Sequence, residues 1–250
     1  MKLELIPSLG EADEFAFDGK TVIVIDTLRA TSNIVTALTS GVRAIVPAAT
    51  REEAQTLWQP GDMRGGERGA IPIPGFELGN SPSEYERPDL LGRRIILTTT
   101  NGTRAIAAAA SAKRLLAASL LNARASAEAI ASVGGDTVIL CAGTRNLFCA
   151  EDGLAAGAVL AELLGKMQTG PHALHDCDMD DYCRVMLGYF AAHRDNLAAE
   201  LYRSDSGRRL TKLGFSKDVA FCAQLNRYCT VPCFVNGELV SRSSDLSPID

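Results

Sequence analysis

No apolar stretch of the 250-residue chain approaches the ~20 residues that a helix needs to cross a bilayer. The N-terminal run MKLELIPSLGEADEF carries acids where a secretory leader would carry bases. These two absences predict a cytoplasmic protein with no membrane partner. Aromatic residues are scarce at 6%, lysine and arginine form no block, and the net charge is −5. A phosphate backbone needs a basic face, so no nucleic-acid partner is expected. A small anionic ligand stays compatible with this balance, because a few local arginines suffice to hold one.

Several familiar catalytic patterns are missing as well. There is no G-x4-G-K-[ST] loop, which excludes a P-loop NTPase. H-E-x-x-H is absent. Asp26 is followed two positions later by Leu28 rather than by the second Asp of a D-x-D phosphatase. No cysteine has an arginine six positions on, which removes the thiol-phosphatase loop; Cys141 and Arg145 are too close. The seven cysteines are odd in number, irregularly spaced and set in apolar surroundings such as VILCAG and AFCAQL. Reduced, mostly buried thiols are expected rather than a disulfide framework.

What is present is a repeated strand–helix rhythm. KTVIVID (20–26), VRAIVPA (42–48), RRIILTTT (93–100), KRLLAAS (113–119) and DTVILCAG (136–143) read as strands. RATSNIVTALTS (29–40), a segment near REEAQTLW (51–58), Gly102 to Ala112, a helix capped by Asn122 and running to about Val133, and Glu151 to Gly165 read as helices. Continuous apolar strands alternating with helices predict an α/β layered domain around a largely buried sheet. Residues 61–88, rich in Gly, Pro and charge, read as a long ordered loop, and loops of that length are commonly functional. The block from about 178 to 250 reads as mainly helical, ending in a strand at VPCFVNGEL. HALHDCDMDDYC (172–183) offers His172, His175, Cys177 and Cys183, but their spacing matches no zinc pattern; a polar connection leading into a helix is expected there.

Three strand ends carry similar chemistry: Asp26-Thr-Leu-Arg-Ala-Thr-Ser, Thr99-Thr-Asn-Gly-Thr and Cys141-Ala-Gly-Thr-Arg-Asn. Open α/β sheets bind ligands beyond the carboxyl ends of their strands, where helix N-termini present free N–H groups and partial positive charge. Thr99, Thr100, Asn101 and Thr103 could hold an oxyanion or could cap a helix, and both readings stay open. Asp26 ends an apolar strand and needs a partner. Arg29 could supply one as a simple ion pair, or the two could serve a cation and an anion separately. Hard carboxylate oxygens beside phosphate oxygens are the usual surroundings of Mg²⁺.

The ordered set VIVIDTLRATS, GGERGAIPIPGFELGNSPSEY, TTTNGTRA, CAGTRNLFCAEDGLAAG and LGFSKDVAFCAQLN…VPCF resembles the 2-phosphosulfolactate phosphatase (ComB) family, from about residue 20 to 235. The resemblance implies one three-layer α/β/α domain spanning 1–250, with a mostly parallel or mixed sheet and potential breaks near 61–92 and 166–180. It implies a Mg²⁺-dependent phosphatase that converts (2R)-2-phospho-3-sulfolactate to 3-sulfolactate and phosphate, a step of coenzyme M biosynthesis in methanogens.

On that footing Asp26, Glu67, Glu151 and Asp152 are expected to surround Mg²⁺, with Asp26, Arg29 and Glu151 closest to the chemistry. Thr100, Asn101, Gly102 and Thr103 are expected around the phosphate, with Thr31 and Ser32 opposite. Arg68, Asn80, Ser81 and Arg145 are candidates for the sulfonate or carboxylate, since guanidinium forks suit oxyanions. Attack by water and attack by Asp26 itself both fit. Two competing readings are a phosphatase of another small phosphorylated hydroxy acid and a non-catalytic sensor of an anionic metabolite. The apolar helices of the last third could build a symmetric homodimer.

Overall fold

The computed structural model describes residues 1–14, 17–169 and 177–242. The five expected strands are present within about two residues of their expected ends: β2 (Thr21–Ile25), β3 (Ala44–Ala48), β6 (Arg94–Thr98), β7 (Arg114–Ala118) and β8 (Thr137–Cys141). Helices α1 (Ala30–Thr39), α2 (Arg51–Leu57), α4 (Ala123–Val133) and α5 (Ala150–Thr169) follow the expected pattern; α3 (Gly102–Ala108) stops a turn early. Alternate residues of β2 and β8 enter two different apolar clusters, one on each face of the sheet. Burial on both faces is why these strands read as unbroken apolar runs.

Four strands lie where none was expected. Lys2–Ile6 forms β1, parallel to β8. Within the expected loop 61–88, Met63–Arg68 forms β4, parallel to β6, and Ile71–Pro72 forms β5 beside it. β4 lacks apolar alternation because its glycines are sterically required. A Cβ on Gly66 would lie 1.9 Å from the Thr98 carbonyl oxygen, and one on Gly65 2.4 Å from the Tyr85 hydroxyl. Further on, Asp178–Met179 forms the two-residue β9, and Asp180 caps α6 (Asp181–His193) by accepting from Cys183 N–H. Residues 172–176 of the expected polar connection lie outside the described residues.

After α6 come α7 (Leu197–Arg203), α8 (Asp205–Lys212) and α9 (Ser216–Cys222), then a hairpin of β10 (Val231–Val235) and β11 (Glu238–Arg242). Asn236 and Gly237 both take positive φ, the geometry of a two-residue hairpin turn. The sheet order is β5-β4-β6-β3-β11-β10-β7-β2-β8-β1-β9. The C-terminal hairpin is thus an antiparallel wedge between two parallel half-sheets. The architecture is α/β with a mixed sheet covered by helices on both faces. Among the described residues, no helix is long and apolar enough to cross a membrane.

The wedge has a geometric consequence. Four strands separate β2 from β6 in this order, and a flat sheet would hold them about 24 Å apart. Yet Gly102, four residues beyond β6, starts α3 directly against Asp26, one residue beyond β2: a Cβ there would lie 2.6 Å from Asp26 Oδ2. The sheet therefore curls around α1 and α3, bringing the carboxyl ends of β2, β4, β6 and β8 to one cleft.

Candidate active site

The floor of the cleft is Asp26, one residue beyond β2 and 7% exposed. Its backbone N–H donates to Thr31 Oγ1 at 3.0 Å, and that hydroxyl donates back to the Asp26 carbonyl at 2.9 Å. The carboxylate itself accepts from Ala30 N–H at 3.2 Å. A Cβ on Gly102 would lie 2.6 Å from Asp26 Oδ2 and 2.5 Å from the Ala30 methyl, so only glycine lets α3 begin there. The Gly102 N–H also favours the charged carboxylate. The anion at the start of both α1 and α3 is therefore Asp26. Even so, burial and the nearby charges of Glu67 and Glu151 outweigh these N–H groups and raise its pKa to about 7.

Glu67, 7% exposed, is fixed from β4. Its two oxygens accept from Ala70 N–H at 2.6 Å and Thr100 N–H at 2.7 Å, tying the GGERG arm to the end of β6. In the TTTNGT turn, Thr99 and Thr103 exchange reciprocal bonds at 3.1 Å. Thr100 Oγ1 is buried without a partner among the described residues and belongs to a cleft-lining residue. Asn101 Oδ1 accepts from Arg145 N–H at 3.4 Å, linking this turn to the one after β8.

Arg29 is 2% exposed and makes its ion pair with Asp218 of α9, not with Asp26. Asp218 also accepts from Ser81 Oγ at 2.6 Å, and the Arg29 guanidinium sits 4.5 Å from the Phe215 ring centroid. Asn80 Oδ1 accepts from the fully buried Asn33 at 2.5 Å. The first turn of α5 supplies two acids with different duties. Asp152 accepts from Thr27 N–H at 2.8 Å and Gly143 N–H at 3.0 Å, stapling β2 to β8. Burial and the charges of Asp26 and Glu151 push its pKa well up. Glu151 is 3% exposed, lines the cleft, and its carboxylate accepts no hydrogen bond from the described residues.

The cleft encloses about 820 Å³, enough for a small, multiply charged ligand. It brings together Asp26, Arg29, Glu67, Asn80, Thr100, Asn101, Arg145 and Glu151. Thr31, Ser32, Arg68, Ser81, Gly102, Thr103 and Asp152 are not among its lining. The Thr31, Ser32 and Thr103 hydroxyls are spent on turns of the backbone. Arg68 bonds Thr98 Oγ1 at 2.8 Å, away from the cleft, and Ser81 serves Asp218. The sequence reading passed over Asp218, and over Arg203 and Arg209, which line the cleft from the end of α7 and from α8. The signal for Asp218 was its place inside LGFSKDVAFCAQLN. RSDSGRRL carried none beyond its basic residues.

Among the described residues, no three His, Cys, Asp or Glu side chains form a ready metal cage. A hard cation that keeps several waters needs only one or two carboxylates plus ligand oxygens. Glu151, which accepts no hydrogen bond from the described residues, and Asp26, held short of full ionisation by burial and by like charges, offer that, with Glu67 beside them. The arrangement can therefore hold a cation over an acidic floor and an oxyanion against guanidinium groups.

The chain matches the family model described as 2-phosphosulpholactate phosphatase over residues 6–237. It is 41% identical to a probable 2-phosphosulfolactate phosphatase of Symbiobacterium thermophilum, covering 92% of this chain and 96% of the relative. A protein of the same description from Caldanaerobacter subterraneus is 39% identical, over 90% and 92%. Another, from Clostridium acetobutylicum, is 35% identical over 96% of this chain and its own full length.

Proposed function

The chain belongs to the 2-phosphosulfolactate phosphatase family, and from that premise we propose that it hydrolyses (2R)-2-phospho-3-sulfolactate to 3-sulfolactate and phosphate with Mg²⁺ in this cleft. One observation carries the reading: Asp26, Glu67 and Glu151 face a single cleft, and among the described residues no cation is paired to any of them. A site that only bound anions would gain nothing from three such carboxylates.

Asp26 and Glu151 would hold the ion, with Glu67 as a neighbour whose orientation Thr100 and Ala70 fix. Mg²⁺, when bound, neutralises phosphoryl oxygens and lowers the pKa of a water that attacks phosphorus. The chain does the rest. Thr100 Oγ1 and the Asn80 and Asn101 side chains face the phosphoryl oxygens. Arg29, clamped by Asp218 and backed by Phe215, stabilises charge on the oxygen that leaves with C2. The alternative route is attack by Asp26, which lines the cleft: the phosphoryl group would pass to its carboxylate as 3-sulfolactate leaves, and water would then cleave the aspartyl phosphate.

The test is phosphate release from 2-phospho-3-sulfolactate. EDTA should abolish it and Mg²⁺ restore it, and Asp26→Asn should cut kcat by at least ~100-fold. Near-full turnover by a folded Asp26→Asn enzyme, or indifference to EDTA, would remove the proposal.

A further inference from the structure

Asn33 lies in the first turn of α1, four residues after Arg29, and is fully buried. Its Nδ2 donates to Asn80 Oδ1 at 2.5 Å, while its Oδ1 is buried with no partner among the described residues. A buried amide needs partners for both of its ends, and an orphan carbonyl is costly. Such an exception calls for a use. The use lies in Asn80, which lines the cleft from the chain between β5 and β6 and whose own Nδ2 donates to no described residue.

The backbone on either side of Asn80 is fixed. Gly79 N–H and Ser81 N–H both donate to the Glu84 carboxylate at 3.1 Å, and Tyr85 Oη donates to the Gly79 carbonyl at 2.8 Å. Ser81 Oγ donates to Asp218, the partner of Arg29. These bonds leave open the terminal torsion of the Asn80 amide, which is broad and roughly two-fold, so its oxygen and nitrogen could exchange places. The two ends have opposite uses. An amide N–H binds a phosphoryl oxygen, and an amide oxygen repels it. The Asn33 donor occupies Oδ1 and leaves Nδ2 as the end that serves the cleft. We infer that Asn33 is a positioning residue that sets the polarity of Asn80, engaging its acceptor so that its amide N–H groups meet a phosphoryl oxygen. This rests on the phosphatase reading above, which puts Asn80 against the phosphate. The orphan oxygen of Asn33 follows from the same role: turning Asn33 over would pair that oxygen with Asn80 Nδ2 and present the wrong end to the ester.

The experiment is a double-variant cycle on kcat/KM for 2-phospho-3-sulfolactate with Mg²⁺. Asn80→Ala should lower the value roughly 10–100-fold, the range for a hydrogen bond to a charged oxygen. Asn33→Leu, of similar shape but with no donor, should lower it about 5–10-fold in the parent. In the Asn80→Ala background the same change should cost less than about twofold, because Asn33 acts only through Asn80. Asn33→Ser, too short to reach Asn80, serves the same cycle if Asn33→Leu does not fold. Asn80→Asp keeps the acceptor for Asn33 but puts an oxygen where Nδ2 stood, and should lose more than Asn80→Ala. No loss on Asn33→Leu, the same loss in both backgrounds, or an Asn80→Asp enzyme at least as active as Asn80→Ala would overturn the inference. Calorimetry with inorganic phosphate and Mg²⁺ reads the same contact without turnover. Phosphate binding that Asn33→Leu weakens only while Asn80 is present supports the inference even if no ester is hydrolysed, an outcome that overturns only the phosphatase reading. Equal phosphate binding by the parent and by Asn33→Leu overturns the inference. A parent that neither hydrolyses the ester nor binds phosphate overturns both.

Discussion

Asp26 and Arg29 stand three residues apart at the end of one strand, and they do not neutralise each other. Arg29 reaches Asp218, 189 positions along the chain, while the Asp26 carboxylate is held by backbone N–H groups. The separation leaves Asp26 without a countercharge among the described residues, so burial, and after it the charges of Glu67 and Glu151, raise its pKa. The sign is that of a carboxyl raised on folding. The native state binds the proton more tightly than the unfolded chain, so Asp26 costs nothing below its ordinary value near 4 and destabilises increasingly up to about 7. The slope is at most about 1.4 kcal/mol per pH unit. In metal-free buffer Asp26→Asn should therefore melt above the wild type at pH 8 and together with it below pH 4. Equal melting temperatures at pH 8 would show that the charge is already compensated.

The partner chosen by Arg29 has its own consequence. Arg29 and Asp218 are both almost fully buried, and removing one member of such a pair strands the other. Asp218→Ala should lose about 3–5 kcal/mol in urea denaturation. Ser81→Ala removes a hydrogen bond to the same carboxylate and should cost less, about 1.5–3 kcal/mol. Because both contacts meet on Asp218, the double variant should lose less than the sum of the two. Strict additivity would mean that Ser81 and Arg29 do not share that carboxylate.

These relationships mark how much the sequence discloses. The strand-ending Asp26 and Glu67 of GGERG were legible because charge next to an apolar run, or inside a glycine-rich arm, has few structural uses, whereas the two acids of CAED look alike in sequence and only Glu151 lines the cleft, Asp152 stapling β2 to β8. Hydroxyl residues were not sorted. Thr31, Ser32 and Thr103 look the same whether they cap a helix or bind a ligand, and here they serve the backbone. β4 escaped notice because its close approach to β6 demands glycine where a strand usually shows apolar alternation. Asp218 and Arg209 were invisible for another reason. Their partners, Arg29 and Gly69, lie far away in sequence, and only the curl of the sheet brings them together.

Two glycines in helices should respond in opposite ways to the same change. Gly102→Ala forces a methyl between Asp26 and Ala30; overpacking of this kind costs about 1–3 kcal/mol. Because it displaces the carboxylate on the floor, phosphate release should fall with it. Gly188 sits in α6 with nothing within 4 Å of an added Cβ. Gly188→Ala should stabilise by about 0.5–1 kcal/mol and leave turnover untouched. A Gly102→Ala enzyme as stable and as active as the parent would mean that α3 does not begin against Asp26.

Proton release on metal binding gives the most direct reading of the acidic floor. A carboxyl with a pKa of about 7 is partly protonated near neutral pH, and a divalent cation binds its ionised form. Loading Mg²⁺ at pH 6.5 should therefore expel protons, and calorimetry in buffers of different ionisation enthalpy counts them. Apparent Mg²⁺ affinity should fall toward tenfold per unit as pH drops below 7, and level off above it. Asp26→Asn should bind more weakly and release no proton over this range. Glu151→Gln should weaken binding and release fewer protons than the wild type, though not none, because removing a neighbouring negative charge lowers the Asp26 pKa without abolishing its titration. Uptake of Mg²⁺ by the wild type with no proton released at pH 6.5 would place the ion away from Asp26.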